Sequence, residues 1–138
     1  MIQLLVLAVS LIVAAVVIRV GGREERMAIA LLAALSVLTP LVDGLEADGT
    51  RWGVALVDVA AFLGLTAIAL GRRRWWPIPL AGCQLVVVLT HAAGLGGDHW
   101  TWTAVTVRLI AWAVILLILI FAAYEAYIVR RYGLESFQ

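Results

Sequence analysis

Four polar side chains interrupt the apolar segments of this chain, and their types suit ligand binding or proton transfer. They are Asp58, Gln84, His91 and Arg108. Gln84 and His91 are seven positions apart, so they share one face of a helix with 3.6 residues per turn. A histidine beside a carboxylate can exchange a proton near neutral pH. The four residues therefore predict a polar pocket, which is either a packing contact between helices or a site for a ligand or proton.

The rest of the chain is strongly apolar: 64% of its 138 residues are hydrophobic, 14% are charged, and the mean hydropathy is +1.07. Soluble domains carry about 25% charged residues, so the composition predicts an integral membrane protein. The net charge of +1 gives no reason to expect a nucleic-acid partner. There is too little polar sequence for a separate soluble domain. We predict one transmembrane helical domain over residues 1–138.

Five apolar segments separated by short charged or glycine-rich stretches predict an all-α, polytopic membrane bundle of five transmembrane helices. The predicted helices cover about residues 2–20, 27–42, 52–70, 77–95 and 103–129. The second segment is short for the roughly 20 residues that span a bilayer core.

The basic residues predict the orientation of these helices, because arginine and lysine stay on the cytoplasmic side. All ten basic residues are arginines, and eight of them fall on one side of the five-helix arrangement, at positions 19, 23, 26, 72, 73, 74, 130 and 131. The resulting topology is N-out and C-in. Trp75 and Trp76 adjoin this side and are expected to form an aromatic belt at the interface.

Helical rise places the two titratable residues at the same depth. Asp58 precedes Arg72 by fourteen residues, or roughly 21 Å, and His91 follows Trp76 by fifteen, or roughly 22 Å. The third and fourth helices are joined by a short turn, so we expect them to be neighbours. The sequence thus predicts a polar pocket in the outer half of the membrane around Asp58 and His91, with Gln84 below.

Other polar residues fit around this pocket or at the opposite interface. Arg108 either joins the pocket or extends outward to water along its stem. Glu125 is expected near the inner interface, paired with arginines. Hydroxyl groups in the outer half extend the predicted polar layer, at Ser10, Ser36, Thr39, Thr90 and Thr106.

We predict no cofactor and no metal. Haem with two histidine ligands would need His99 beside His91, but His99 lies beyond two glycines in the outer turn. Zinc requires three or four ligands, and only Asp58, His91 and either Asp98 or His99 are candidates. The chain contains no GxSxG, HExxH, CxxC or phosphate-loop motif. The sequence therefore favours a non-enzymatic role.

The pattern of Asp58, then Arg74 with Trp76 and Pro77, then Gln84 and Thr90 with His91 resembles a group of small uncharacterised bacterial inner-membrane proteins. The resemblance covers the third and fourth helices. It implies a multi-pass location in the bacterial inner (plasma) membrane and implies no activity.

Our first hypothesis is a small inner-membrane binding or accessory subunit whose partners are the lipid bilayer and either another membrane protein or a second copy. Its ligand is left open. The alternative is a small proton-coupled transporter or channel component, in which Asp58 and His91 exchange a proton. A third hypothesis is a redox membrane protein that binds quinone or haem.

Overall fold

A computed structural model describes residues 2–47, 50–71, 74–93 and 101–132, and these residues form a helical bundle, as the sequence predicts. A two-residue antiparallel pairing of β1 with β2 joins the second and third helices. The elements in these ranges are α1 (Ile2–Val20), α2 (Arg23–Val42), β1 (Glu46–Ala47), β2 (Thr50–Arg51), α3 (Trp52–Gly71), α4 (Pro77–Ala93) and α5 (Thr101–Tyr132).

Within the described ranges, three helices rather than five are long and apolar enough to cross a membrane. These are α2, α3 and nearly all of α5. The apolar parts of α1 and α4, Leu4–Val20 and Pro77–Ala92, are shorter. A helix of 17 residues rises roughly 26 Å, slightly less than the roughly 30 Å of a hydrocarbon core. The prediction of five spans is therefore supported for three helices.

The second helix begins earlier than its apolar segment. The apolar pattern starts at Met27, but α2 begins at Arg23 and has Glu24 and Glu25 in its first turn. Acidic side chains favour a helix N-terminus because they complement its partial positive charge. The helix can therefore extend through residues that a hydropathy pattern assigns to a loop.

The bundle is organised around α4, which packs between α3 and α5. The second helix packs on α3, and α1 packs mainly on α5. Side-chain contacts bring together the C-terminal ends of α1 and α5 and the N-terminal ends of α2 and α4. We call this the arginine-rich end of the bundle, and the other the opposite end.

The best-packed apolar contacts lie toward the arginine-rich end. Val17, Leu65, Leu80 and Leu119 are fully buried and belong to one cluster. Lipid is as apolar as these side chains, so close packing rather than exclusion from water holds such a cluster together in a membrane. Small residues allow the helices to approach closely, and Ala28, Ala122 and Ala123 belong to the same cluster.

Trp76 lies in this core, contrary to its predicted place in an interfacial belt. Its side chain is 0% exposed, whereas that of Trp75 is 55% exposed. The two residues directly precede α4, where the Trp75 side chain bonds to Glu125 of α5 and the Trp76 side chain packs in the core. Of these two side chains, Trp75 is therefore the one that stays exposed.

Candidate functional site

A network of polar side chains crosses three helices near the opposite end of the bundle. Asp58 lies in the second turn of α3, His91 near the end of α4 and Arg108 two turns into α5. Because α4 packs between α3 and α5, its histidine can contact both neighbours. Each member of the group bonds to at least one other member. We call it the three-helix polar network, and it consists of Asp58, Gln84, Thr90, His91 and Arg108.

The carboxylate of Asp58 accepts hydrogen bonds from two residues of α4. Gln84 Nε2 lies 3.2 Å from Oδ1, and His91 Nε2 lies 2.7 Å from Oδ2. Gln84 Nε2 is also 3.5 Å from the backbone carbonyl oxygen of Asp58. The spacing of seven residues between Gln84 and His91 gives each carboxylate oxygen its own donor. The shared helical face predicted from the sequence thus meets Asp58 on the neighbouring helix.

The other ring nitrogen of His91 faces Arg108. Arg108 Nη2 lies 3.1 Å from His91 Nδ1. A guanidinium only donates hydrogen bonds, so Nδ1 must accept one and carries no proton. The proton of the neutral imidazole is then on Nε2, where it is donated to Asp58. The contacts on both sides of the ring are therefore satisfied by a single tautomer.

Arg108 is fixed by a second contact on α4. Its Nε donates to Thr90 Oγ1 at 2.6 Å, and that hydroxyl donates to the backbone carbonyl of Val87 at 2.6 Å. Thr90 is buried, and its hydroxyl uses both a donor and an acceptor position. The guanidinium is thereby held beside Nδ1 of His91.

The network contains one negative and one positive charge with a neutral imidazole between them. The side chains of Asp58 and His91 are 22% and 12% exposed. Removing charges from water is costly unless they are paired and hydrogen-bonded. Asp58 and Arg108 compensate one another across the ring, so all three side chains depend on each other.

All four candidate residues of the sequence analysis lie in this network. Thr90 joins them, but four other hydroxyls of the predicted polar layer do not. Each of those donates to the carbonyl four residues earlier in its own helix, a local bond that needs no partner helix. They are Ser10, Ser36, Thr39 and Thr106.

Metal ligands are not clustered in the described part of the chain. No three histidine, cysteine, aspartate or glutamate side chains there are placed to hold a metal ion. Asp98 and His99, which completed the candidate zinc and haem sets of the sequence analysis, lie outside the described residues.

A second polar cluster joins helices at the arginine-rich end. Glu125 of α5 accepts from Trp75 Nε1 at 2.7 Å and from Arg74 Nη1 at 3.3 Å. Arg74 Nε also lies 3.8 Å from Glu24 Oε2 of α2. Glu125 is therefore placed where the sequence analysis expected it, among groups at the helix ends. Nothing in the sequence predicts the hydrogen bond from Trp75 to Glu125, apart from the position of Trp75 next to Arg74.

The three-helix polar network can do two things chemically. Arg108 uses two donor positions in its described contacts and a guanidinium has five, so it has capacity for a further acceptor. Asp58 and His91 are close enough for a proton to pass between them. Comparison of the chain with protein-family models, with curated proteins and with solved structures found no match.

Proposed function

We propose that this chain is a small multi-pass membrane protein that acts as a binding or accessory subunit. The observation that carries the proposal is the position of Arg108, a charged donor group held between α4 and α5 by Thr90 and His91. Ionisable residues within membrane segments are expensive and commonly mark binding sites or ion pathways. The ligand class that fits spare guanidinium donors is an acceptor such as a carboxylate, on a small molecule or on a partner helix.

The proposal includes five membrane crossings, N-out and C-in, in the inner membrane of a bacterium. The apolar parts of α1 and α4 are slightly shorter than a typical span, and a bilayer can thin locally to match a short helix. Arginines gather at one end of the bundle, which supports a cytoplasmic location for that end. A reporter fused after the last residue tests this: green fluorescent protein should fluoresce there and alkaline phosphatase should be inactive, and the reverse result would reject the orientation.

The binding role is tested by purification in a mild detergent followed by native mass spectrometry. We expect wild-type protein to carry a small molecule, a second copy or a partner protein. Arg108→Met should lose it, because methionine keeps the bulk of the stem and removes every donor. Arg51→Met is the matched control, since Arg51 lies toward the same end and is well exposed. A wild-type protein that is always a ligand-free monomer would reject the proposal.

A second candidate function is proton-coupled transport, and it is favoured by the 2.7 Å contact between His91 Nε2 and Asp58 Oδ2. Arg108 blocks protonation of Nδ1, so an anion that draws the guanidinium away would allow the ring to accept a second proton. Anion binding and proton binding would then be coupled. Asp58→Asn should abolish pH-driven flux in reconstituted vesicles. Flux that is unchanged in this variant would remove the transporter hypothesis.

A further inference from the structure

An open groove of about 430 Å³ lies at the arginine-rich end, where α1 passes into α2. Three arginines line it: Arg23 and Arg26 on α2, and Arg130 on α5. Gly21 and Gly22 form the part of its wall that has no side chains. The groove therefore combines positive charge from two helices with an accessible backbone.

The position of Arg130 is set by backbone groups and not by an acid. Its Nη2 donates to the carbonyl of Val20, and its Nε donates to the carbonyl of Ala126 at 3.4 Å. Arg23 and Arg26 are exposed on the first turn of α2. None of the three forms an ion pair with a carboxylate among the described residues.

Two arginines elsewhere in the described chain face carboxylates instead. Arg74 contacts Glu24 and Glu125, and Arg51 contacts Asp43 and Glu46. Those acids neutralise their arginines within the fold. The groove is thus the place, within the described ranges, where the chain keeps several guanidiniums together without matching acids.

One carboxylate does lie close to the groove. Glu25 is 2% exposed, and its Oε2 is 2.8 Å from the position that a Cβ on Gly22 would occupy. It offsets one of the three positive charges and leaves an excess in the groove.

The apolar part of the lining indicates what kind of anion fits. Met27 and Ala30 also line the groove and are exposed on α2, which is apolar and long enough to cross a membrane. They continue the groove along the exposed side of that helix. We propose that the groove binds an anionic phospholipid, with the phosphate held by Arg23, Arg26 and Arg130 and an acyl chain lying against Met27 and Ala30.

Lipid titration followed by native mass spectrometry tests this site. Purified full-length protein is mixed with phosphatidylglycerol, with phosphatidylcholine, or with glycerol phosphate as the headgroup without chains. We expect phosphatidylglycerol to bind at least about tenfold more tightly than either of the others. Basic residues near a membrane contribute additively to attraction for anionic lipids, so the double variant R23Q/R26Q should weaken phosphatidylglycerol binding about tenfold or more.

Three further variants distinguish lipid binding at this site from a general effect of positive charge and from misfolding. Arg19→Gln removes an exposed arginine of α1 that does not line the groove, and it should leave binding within about twofold. R23K/R26K keeps the charge and should keep most of the affinity. Ala30→Leu places a larger side chain in the apolar part of the groove lining, at an exposed position. It should weaken lipid binding although all three arginines are still present.

The proposal is overturned if R23Q/R26Q binds phosphatidylglycerol as wild type does, or if Arg19→Gln loses as much affinity. Equal affinity for phosphatidylcholine would reject recognition of an anion. Equal affinity for glycerol phosphate would assign the groove to free phosphates instead of lipid. Arg108→Met leaves the groove intact, so loss of the Arg108 ligand and loss of phosphatidylglycerol binding are distinguishable.

Discussion

Arg108 Nη2 lies 3.1 Å from His91 Nδ1, on the opposite side of the ring from Asp58. This one contact determines which ring nitrogen of His91 carries the proton. Because Arg108 can only donate, His91 must donate from Nε2 to Asp58, and the carboxylate receives donors from both of its neighbours. The positive charge that compensates Asp58 therefore lies on Arg108, on the far side of a neutral imidazole ring.

The first prediction concerns the state of that ring. In protein labelled with ¹⁵N-histidine, His91 should show one unprotonated nitrogen at Nδ1 and one protonated nitrogen at Nε2. His99→Gln leaves His91 as the single histidine and removes ambiguity in the assignment. The measurement is solid-state or solution NMR near neutral pH in lipid or detergent. Two protonated nitrogens, or a proton on Nδ1, would contradict the inferred hydrogen-bond pattern.

The second prediction is that Asp58→Asn destabilises the fold by about 1–3 kcal/mol, the cost of leaving a buried polar group without a partner. Asparagine offers one acceptor and one amino group, but Gln84 and His91 both donate toward it. Both contacts can be kept only if the Gln84 amide turns over, which gives up its bond to the backbone oxygen of Asp58. The charge of Arg108 also loses the carboxylate that compensates it. Reversible unfolding in mixed micelles measures the loss, and a neutral effect would argue against the arrangement.

A double variant gives the sharper form of this test. Arg108→Met releases Nδ1, so the ring can move its proton there. In a chain that also carries Asp58→Asn, Nε2 can then accept a hydrogen bond from the amide group of the introduced side chain. D58N/R108M should therefore cost less than the sum of the two single variants, by about 1 kcal/mol or more. Arg19→Met combined with Asp58→Asn should be additive, because Arg19 is an exposed arginine in the last turn of α1, at the arginine-rich end. Additivity in both pairs would mean that Arg108 does not control the ring.

Several features of this fold could be predicted from the sequence because they depend on local patterns. Apolar runs predict the helices, and helical rise places Asp58 and His91 at the same depth. Their rotation toward each other could not be predicted, because one residue turns a helix by roughly 100° and the partner's rotation is equally free. The contact between Arg108 and Nδ1 depends on both rotations and on the choice of α5 as a neighbour of α4.

Other features depend on packing that leaves no mark in a single segment. Trp75 and Trp76 are identical neighbours in sequence, yet one bonds to Glu125 and the other is buried in the core. Likewise, Arg130 reaches the carbonyl of Val20, 110 positions earlier in the chain. Nothing near Val20 in the sequence indicates that α5 lies beside it.

The third prediction concerns the cluster at the arginine-rich end. Glu125→Gln removes the charge that faces Arg74 and leaves one acceptor for the two donors of Arg74 and Trp75. We expect a loss of stability of about 0.5–1.5 kcal/mol, since these groups are only partly exposed. Unfolding in mixed micelles gives the value.

Glu46→Gln is the matched control for that prediction. It removes the carboxylate that faces Arg51 at 3.7 Å, where both side chains are more than half exposed. Exposed ion pairs contribute little to stability, so the change should be within about 0.5 kcal/mol. A larger loss for Glu46→Gln than for Glu125→Gln would contradict the placement of the two clusters.

The last prediction uses two helical glycines with different surroundings. A Cβ on Gly53 would overlap the backbone oxygen of Val42, while a Cβ on Gly82 would meet nothing within 4 Å. Backbone cannot move aside as a flexible side chain can, so Gly53→Ala must push α3 away from the end of α2. We expect this variant to lose about 2 kcal/mol or more of stability. Gly82→Ala gains helix propensity at an exposed position and should be neutral or stabilise by up to about 1 kcal/mol. Thermal unfolding of both proteins in the same detergent compares them directly, and equal stabilities would show that α2 and α3 do not meet closely at Gly53.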